Sequence, residues 1–182
     1  MYIRNTPEHY GLVTLALHWT TVILVVLAWG LGQGGDLLPA EGARAAGLFV
    51  HISAGLAVIL LTVMRLLWRI VDPAPAAIPT PFGVLGDFAA KLGHGLLYIL
   101  LVVVPVTGII VQFARGHALP VFGIVEIASP WAADRTFARS VMGAHELLAN
   151  ALMVIALLHA LAALLHHWLL RDRTLRRMLP GS

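Results

Sequence analysis

Four long apolar stretches, separated by short polar ones, dominate the chain. They cover approximately residues 11–32, 45–71, 88–113 and 141–170. Each has at least the ~20 residues that an α-helix needs to cross the ~30 Å hydrocarbon layer of a bilayer. The first is too long for the apolar part of a signal peptide, and no small-residue cleavage site follows it. The pattern predicts an all-α membrane protein, a bundle of four transmembrane helices that forms one domain over residues 1–182.

The connections between these stretches differ in character. The second connection, DPAPAAIPTPFG, is rich in proline and is therefore expected to be extended. The third, residues 114–140, is the longest, and we expect it to contain short interfacial elements with Trp131 at headgroup depth. Pro105 lies midway along the third apolar stretch and predicts a kink there, which membrane helices tolerate.

The composition narrows the chemistry. Of the 182 residues, 59% are hydrophobic and only 12% are charged, whereas a soluble domain usually has about 25% charged residues. There is no cysteine, which excludes disulfides, iron–sulfur clusters, thiolate zinc sites and covalently attached c-type haem. Nine histidines remain as candidate ligands for a prosthetic group.

The net charge of +3 is distributed unevenly along the chain. Four basic residues fall on one side of the predicted bundle: Arg44, Arg115, Arg135 and Arg139. Eight fall on the side that holds both termini: Arg4, Arg65, Arg69, Lys91, Arg171, Arg173, Arg176 and Arg177. The positive-inside rule therefore predicts that the N and C termini are cytoplasmic. The basic cluster after the fourth stretch is explained as a topology anchor, so we expect no nucleic-acid partner.

Two histidines stand fourteen residues apart in the fourth stretch, HELLANALMVIALLH. In a helix His145 and His159 are separated by ~21 Å along the axis but by only ~40° in direction, so both face the same side. By the same topology His51 matches His145 in depth, and His18 matches His159. The spacing therefore predicts one histidine pair in the outer leaflet and one in the inner leaflet.

Paired histidines from facing helices favour haem over zinc. Zinc needs three or four clustered ligands, whereas the iron of a b haem takes one axial histidine from each side of a flat macrocycle. Small residues one turn away leave room for a porphyrin: Gly47 and Gly55 beside His51, Ala149 after His145, and Ala163 after His159. We predict two b haems, with the iron held by His51–His145 outside and by His18–His159 inside. One alternative is that these are ordinary interhelical hydrogen-bonding histidines with packing glycines. A separate alternative for the function is a histidine-lined metal transporter or a passive helical scaffold.

Six segments carry a family resemblance over essentially the whole chain. They are LHW with His18, FVHISAGL with His51, MRLLWR, LGHGLLYILLVVVPVTGII with His94, HELLAN with His145, and LHALAALLHHWLLRDRTLRRMLP with His159. Together they resemble the bacterial cytochrome b561 family, and most of all its small four-helix diheme members. The resemblance implies that His18, His51, His145 and His159 are the haem ligands, and that electrons pass from superoxide outside to ubiquinone in the membrane.

The resemblance also implies a bacterial inner-membrane protein surrounded by lipid, with no obligate protein partner. Similar b-type cytochromes serve as membrane subunits of hydrogenase-type or dehydrogenase-type complexes, so that role is the main alternative. Such a subunit needs a docking surface, and the modest outer connections give little sign of one.

Superoxide is an anion, so outward-facing cations should raise its local concentration. The candidates are Arg115 and Arg139, with His117 and Arg135. The alternative is that these residues bind lipid phosphates or haem propionates, or pair with Glu126 and Asp134.

Ubiquinone reduction needs proton donors near the inner haem. His94, His166 and His167 are the candidates, because histidine titrates near physiological pH. The alternatives are that they anchor the helix end, or that His94 replaces His18 as a ligand. The roles of Glu146 and Asn150, beside the outer site, stay open.

Overall fold

The computed structural model describes residues 2–78 and 81–179 of the chain. Its four long helices are α1 Leu12–Gly34, α2 Glu41–Val71, α3 Gly83–Ala114 and α4 Arg135–Leu165. All four are long and apolar enough to cross a membrane, which confirms the predicted all-α bundle of four transmembrane helices. The shorter elements are 3-10 helices at Gly35–Leu37 and Arg176–Met178, strands β1 Leu119–Val121 and β2 Val125–Ile127, and a π-helix at His166–Leu170.

Three of the helices begin earlier than the apolar stretches that predicted them. Helix α2 begins at Glu41, α3 at Gly83 and α4 at Arg135, four to six residues upstream. The start of α4 is capped by Asp134, whose Oδ1 accepts from the backbone N–H groups of Thr136 and Phe137 at 2.9 and 3.0 Å. Hydropathy marks the part of a helix that lies in hydrocarbon, whereas backbone hydrogen bonding continues into the polar flanks.

The bundle is built from two helical hairpins. Helix α1 packs mainly on α2 and α3 on α4, and the two hairpins meet through α2 and α3. The buried core lies at this junction and consists of Val58, Leu100, Leu101, Val104 and Leu152. Most other large apolar side chains are exposed on the outside of the bundle, as expected for a surface that faces lipid.

The loop end of the bundle, which holds the α1–α2 and α3–α4 connections, is closed by a β-hairpin. Strand β1 pairs antiparallel with β2, with Leu119 opposite Ile127. The turn places Phe122 and Gly123 at φ 53° and 71°, the positive values that a tight hairpin turn requires. A Cβ on Gly123 would lie 3.3 Å from the Phe49 ring, so the hairpin sits closely on α2. It is a short element of the kind expected in the longest connection.

The terminal end of the bundle, opposite the loop end, holds both chain termini and the α2–α3 connection. The N-terminal segment is tied down by Asn5, whose backbone N–H donates to Asp72 Oδ2 at 2.9 Å. The C-terminal segment is tied to α1 by Trp19 Nε1, which donates to the Met178 carbonyl at 2.7 Å. Arg177 donates to the Ala76 carbonyl at 2.8 Å. These bonds bring three distant segments together below the bundle.

Helix α3 continues through Pro105 without interruption from Gly83 to Ala114. The kink predicted there stays a prediction. Pro105 faces α2, because a Cβ on Gly55 would lie 3.7 Å from the Pro105 Cβ.

Candidate functional site

His51 on α2 and His145 on α4 meet in the half of the bundle nearer the loop end. Their ring centres lie 6.0 Å apart and their planes are inclined at 77°. Two imidazoles that bind one metal from opposite sides, each at about 2 Å, have ring centres roughly 6 Å apart. The spacing therefore fits two axial ligands of one haem iron.

The hydrogen bonds of these histidines fix which ring nitrogen is free. His51 Nδ1 lies 2.7 Å from the Ala28 carbonyl oxygen, and His145 Nδ1 lies 3.0 Å from the Val104 carbonyl oxygen. A carbonyl oxygen only accepts, so in both rings Nδ1 carries the proton and Nε2 keeps the lone pair that a metal needs. The Thr107 hydroxyl, 3.1 Å from His145 Nδ1, donates to the same Val104 carbonyl at 2.7 Å.

The two rings line a cleft that contains about 980 Å³ of space free of protein atoms, part of it open to the outside. Side chains from all four helices form its walls, and most of them are aliphatic. Glycine backbone lies against both imidazoles: a Cβ on Gly32 would lie 3.2 Å from His51 Cε1, and a Cβ on Gly108 would lie 3.2 Å from His145 Cε1. An apolar cleft with a few polar groups at fixed positions is typical of a cofactor site.

Comparison with known proteins agrees with this geometry. Residues 9–181 match the family model described as prokaryotic cytochrome b561. The chain belongs to the prokaryotic cytochrome b561 family. It is 33% identical over 175 residues to the probable superoxide oxidase CybB of Yersinia pestis, covering 95% of this chain and 97% of the relative. It is 32% identical over 183 residues to cytochrome b561 homolog 2 of Escherichia coli K12, and the match covers 100% of this chain and 97% of that protein.

A further relative is cytochrome b562 of Cereibacter sphaeroides, 33% identical over 175 residues, covering 93% of this chain and 94% of that protein. Membership of the cytochrome b561 family means that the protein is a multi-pass membrane cytochrome that binds b-type haem and transfers electrons. The mostly apolar cleft at His51 and His145 has the ligand types and the free Nε2 atoms that such a haem requires.

In the other half of this cytochrome b561, the structure brings His94 of α3 against His159 of α4. Their ring centres lie 5.2 Å apart with planes inclined at 66°. The ring of His18 of α1 contacts the ring of its neighbour Trp19, and its Nδ1 lies 3.4 Å from an Arg65 guanidinium nitrogen. The pairing of His18 with His159 stays a prediction. The ring distance between His94 and His159 is shorter than the roughly 6 Å that two axial ligands of one iron require.

Arg65 was counted in the sequence only as a basic residue at the end of the second span. In the structure its guanidinium carbon also lies 5.5 Å from the centre of the Tyr98 ring. It therefore places a positive charge in the cytochrome b561 bundle beside His18. The available signal was its position six residues inside the end of an apolar helix, where a charged side chain is a functional candidate.

The cations proposed to attract superoxide are all exposed at the loop end of the cytochrome. Arg115, at the end of α3, lines the cleft that holds His51 and His145. Arg139 lies in the second turn of α4, and Arg135 and His117 are exposed nearby. In residues 2–78 and 81–179 no salt bridge joins these arginines to Glu126 or Asp134. Asp134 serves as the cap of α4 instead.

Of the two polar residues near His51 and His145 that the sequence left open, Asn150 binds α1. Asn150 Oδ1 accepts from Trp29 Nε1 at 2.9 Å and from Gln33 Nε2 at 3.3 Å. Glu146, one turn before Asn150, is exposed. Because α1 and α4 share few other contacts, these hydrogen bonds close the side of the cytochrome cleft that Trp29 lines.

His166 and His167 of the cytochrome b561 lie in the π-helix that follows α4. His166 Nδ1 contacts Asp172 Oδ2 at 2.5 Å, and Asp172 was not singled out from the sequence. The Nδ1 atom of His167 is buried and has no hydrogen-bond partner among the residues that the structure describes. The sequence signal for Asp172 was weak, because nothing in the chain predicts that the helix reverses after Leu170.

Proposed function

We propose that this cytochrome oxidises superoxide at the loop end and reduces ubiquinone in the membrane. The overall reaction is 2 O₂•⁻ + Q + 2 H⁺ → 2 O₂ + QH₂, so two electrons are passed on one at a time. The proposal is supported by the exposed guanidinium of Arg115 at the cleft that holds His51 and His145. The relative named probable superoxide oxidase CybB supports it as well.

Within this proposal the chain holds two b haems. His51 and His145 hold the one nearer the loop end, and His18 and His159 hold the one nearer the terminal end. When bound, each haem supplies an iron that accepts and releases a single electron. The backbone carbonyls of Ala28 and Val104 orient His51 and His145, and the mostly apolar walls of the cleft would limit the access of water to the iron that these two residues would hold.

The side chains at the two ends of the bundle have different tasks. Arg115 and Arg139 raise the local concentration of the superoxide anion at the loop end. His94, His166 and His167 carry protons toward the quinone at the terminal end. We further propose that the protein lies in the bacterial inner membrane with both termini cytoplasmic, because eight of its twelve basic residues belong to the terminal end.

The central experiment measures haem reduction by superoxide in the purified protein, by stopped flow, with and without ubiquinone. We expect superoxide to reduce the haem, ubiquinone to reoxidise it, and added superoxide dismutase to abolish the reduction. A cytochrome subunit of a dehydrogenase-type complex would need its protein partner for reduction. A purified protein that superoxide leaves oxidised would therefore exclude the proposal and favour that alternative.

Arg115→Gln tests the role of the cation at the cleft. A unit charge that passes about 5 Å from superoxide in water contributes about 0.8 kcal/mol, so we expect a roughly fourfold slower second-order rate at low salt. The difference should disappear near 1 M salt, where the Debye length is about 3 Å. Arg44→Gln is the matched control, because it removes the same charge at the same end but does not line the cleft. Equal rates for both variants would contradict the role of Arg115.

A further inference from the structure

The last turn of α4 widens into a π-helix, His166–Leu170, and ends on Arg171 in the left-handed region at φ 53°. A residue with a Cβ is strained in this conformation, so the contacts around the turn must hold it. The backbone N–H groups of Arg171 and Asp172 both donate to the His166 carbonyl, the second at 3.1 Å. The turn reverses the chain and returns Asp172 to the side chain of His166. Single π turns of this kind are frequent at functional sites.

The returned carboxylate and the imidazole form a dyad. His166 Nδ1 lies 2.5 Å from Asp172 Oδ2, and each of the two side chains is 18% exposed. The Thr174 backbone N–H donates to Asp172 Oδ1 at 2.8 Å and holds the carboxylate from the other side. Burial alone would raise the pKa of Asp172, but the hydrogen bonds from His166 and Thr174 hold this pKa below its usual value. The ionised carboxylate keeps the proton on His166 Nδ1, so Nε2 is the atom left free to exchange protons.

The dyad lies in line with the terminal-end ligand of α4. His166 follows His159 by seven residues, which is about 10 Å along the axis and about 20° in direction, so both imidazoles are on the same face. Trp168 and Leu169, the next residues of the π turn, are 69% and 72% exposed. The turn therefore lies where an isoprenoid tail in the lipid can reach it.

Unpartnered polar atoms are concentrated at the same end. In the part of the chain that the structure describes, five buried side-chain nitrogen or oxygen atoms have no hydrogen-bond partner. Four of them belong to the terminal end: His9 Nδ1, Trp68 Nε1, His167 Nδ1 and Arg177 Nε. Buried polar atoms nearly always have a partner, so these atoms are available to a polar ligand or to water at this end. The Trp68 and Arg177 atoms can only donate, and the carbonyl oxygens of a quinone accept.

We propose that His166 and Asp172 form the proton-donating dyad for a quinone headgroup bound at the terminal end, with His166 Nε2 as the donor and Asp172 as a positioning residue. This inference rests on the proposed reduction of ubiquinone. The quinone gains two electrons, which two superoxide anions supply, and two O–H bonds form. With a proton on both ring nitrogens, His166 gives the Nε2 proton to a reduced quinone oxygen and regains one from the aqueous phase at the terminal end. The same transfer, repeated, protonates the second quinone oxygen.

Two variants separate the proton step from the electron step. His166→Gln retains an N–H group that can donate to Asp172, and Asp172→Asn retains an oxygen that can accept from His166. For both variants we expect unchanged haem reduction by superoxide in the absence of quinone, and reoxidation by ubiquinone-1 that is at least about tenfold slower. Arg173→Gln is the matched control, because Arg173 is exposed in the same segment and the variant should reoxidise at the wild-type rate.

Chemical rescue distinguishes proton donation from a structural role. In His166→Ala, added imidazole should restore reoxidation by quinone in proportion to its concentration, while the rate of Arg173→Gln stays constant. Wild-type reoxidation rates in both His166→Gln and Asp172→Asn would overturn the dyad and leave the proposed function standing. A wild-type protein whose reduced haem quinone does not reoxidise would overturn the proposed function itself.

Discussion

The close approach of glycine backbone to the imidazoles of His51 and His145 makes a sharp prediction for Gly108→Ala. The new Cβ would lie 3.2 Å from His145 Cε1 and 3.6 Å from its Nδ1. Ordinary carbon contacts lie at about 3.5–4.0 Å, so the ring must move away by roughly 0.4 Å. Val104, whose carbonyl holds the ring at 3.0 Å, lies one turn before Gly108 on the same helix. The displacement therefore lengthens that hydrogen bond to about 3.4 Å, beyond the usual range of 2.7–3.2 Å.

A loosened imidazole is expected to bind its haem more weakly. Losing an outer hydrogen bond to a metal-binding histidine typically costs 10–100-fold in metal affinity, which corresponds to about 1.4–2.8 kcal/mol. Gly108→Ala should therefore bind one of the two proposed haems 10–100-fold more weakly. Gly32→Ala should weaken the binding of the same haem, because its Cβ would press on His51 in the same way. The double variant should bind one haem normally.

The assay is a haem titration of the purified apoprotein, followed by the Soret band and by pyridine haemochrome content. Gly30→Ala is the matched control, because Gly30 lies two residues before Gly32 in α1 and its added Cβ would have no atom within 4 Å. If Gly108→Ala titrates with the same affinity and stoichiometry as Gly30→Ala, the imidazoles of His51 and His145 are not the ligands that the cleft orients.

Three further predictions concern other parts of the chain. In a pyridine haemochrome assay, His18→Gln should retain one haem, whereas His94→Gln should retain two haems. The reverse result would make His94 the partner of His159. Asp134→Ala should lower the free energy of unfolding in detergent by about 1 kcal/mol, because two N–H groups at the start of α4 lose their acceptor. The lowered pKa of Asp172 stabilises the folded chain above the unfolded value of 3.8, and this contribution is lost as the pH falls through and below it. The higher melting temperature of wild type over Asp172→Asn at pH 7 should therefore shrink as the pH is lowered below 3.8. A difference that stays constant with pH would contradict this prediction.

The helices and the proximity of His51 to His145 were predictable because they depend on one-dimensional features of the chain. Hydropathy over about 20 residues marks a span, and a separation of fourteen residues places His145 and His159 on one helix face. The proximity of His51 and His145 then follows from the order of the helices, which brings His51 to the depth of His145. The structure places these two rings 6.0 Å apart, as that reasoning requires.

The remaining features depend on how the helices are rotated and shifted relative to one another. Hydropathy does not specify the register at which two helices meet. Two contacts depend on that register: Gly108 against His145, and the hydrogen bond from His51 to the Ala28 carbonyl. The contact of His94 with His159 is of the same kind. The dyad of His166 and Asp172 depends on a π turn and on a strained Arg171, for which the chain carries no turn-forming glycine.

The unequal distribution of histidines matches the proton requirements of the two proposed half-reactions. Oxidation of superoxide to O₂ releases one electron and consumes no proton, so the loop end needs a cation and a pair of ligands but no proton donor. Reduction of a quinone to a quinol consumes two protons, and these must come from titratable groups at the other end. Six of the nine histidines belong to the terminal end: His9, His18, His94, His159, His166 and His167. Two of these are needed as ligands, and four remain where the proposed reaction takes up protons.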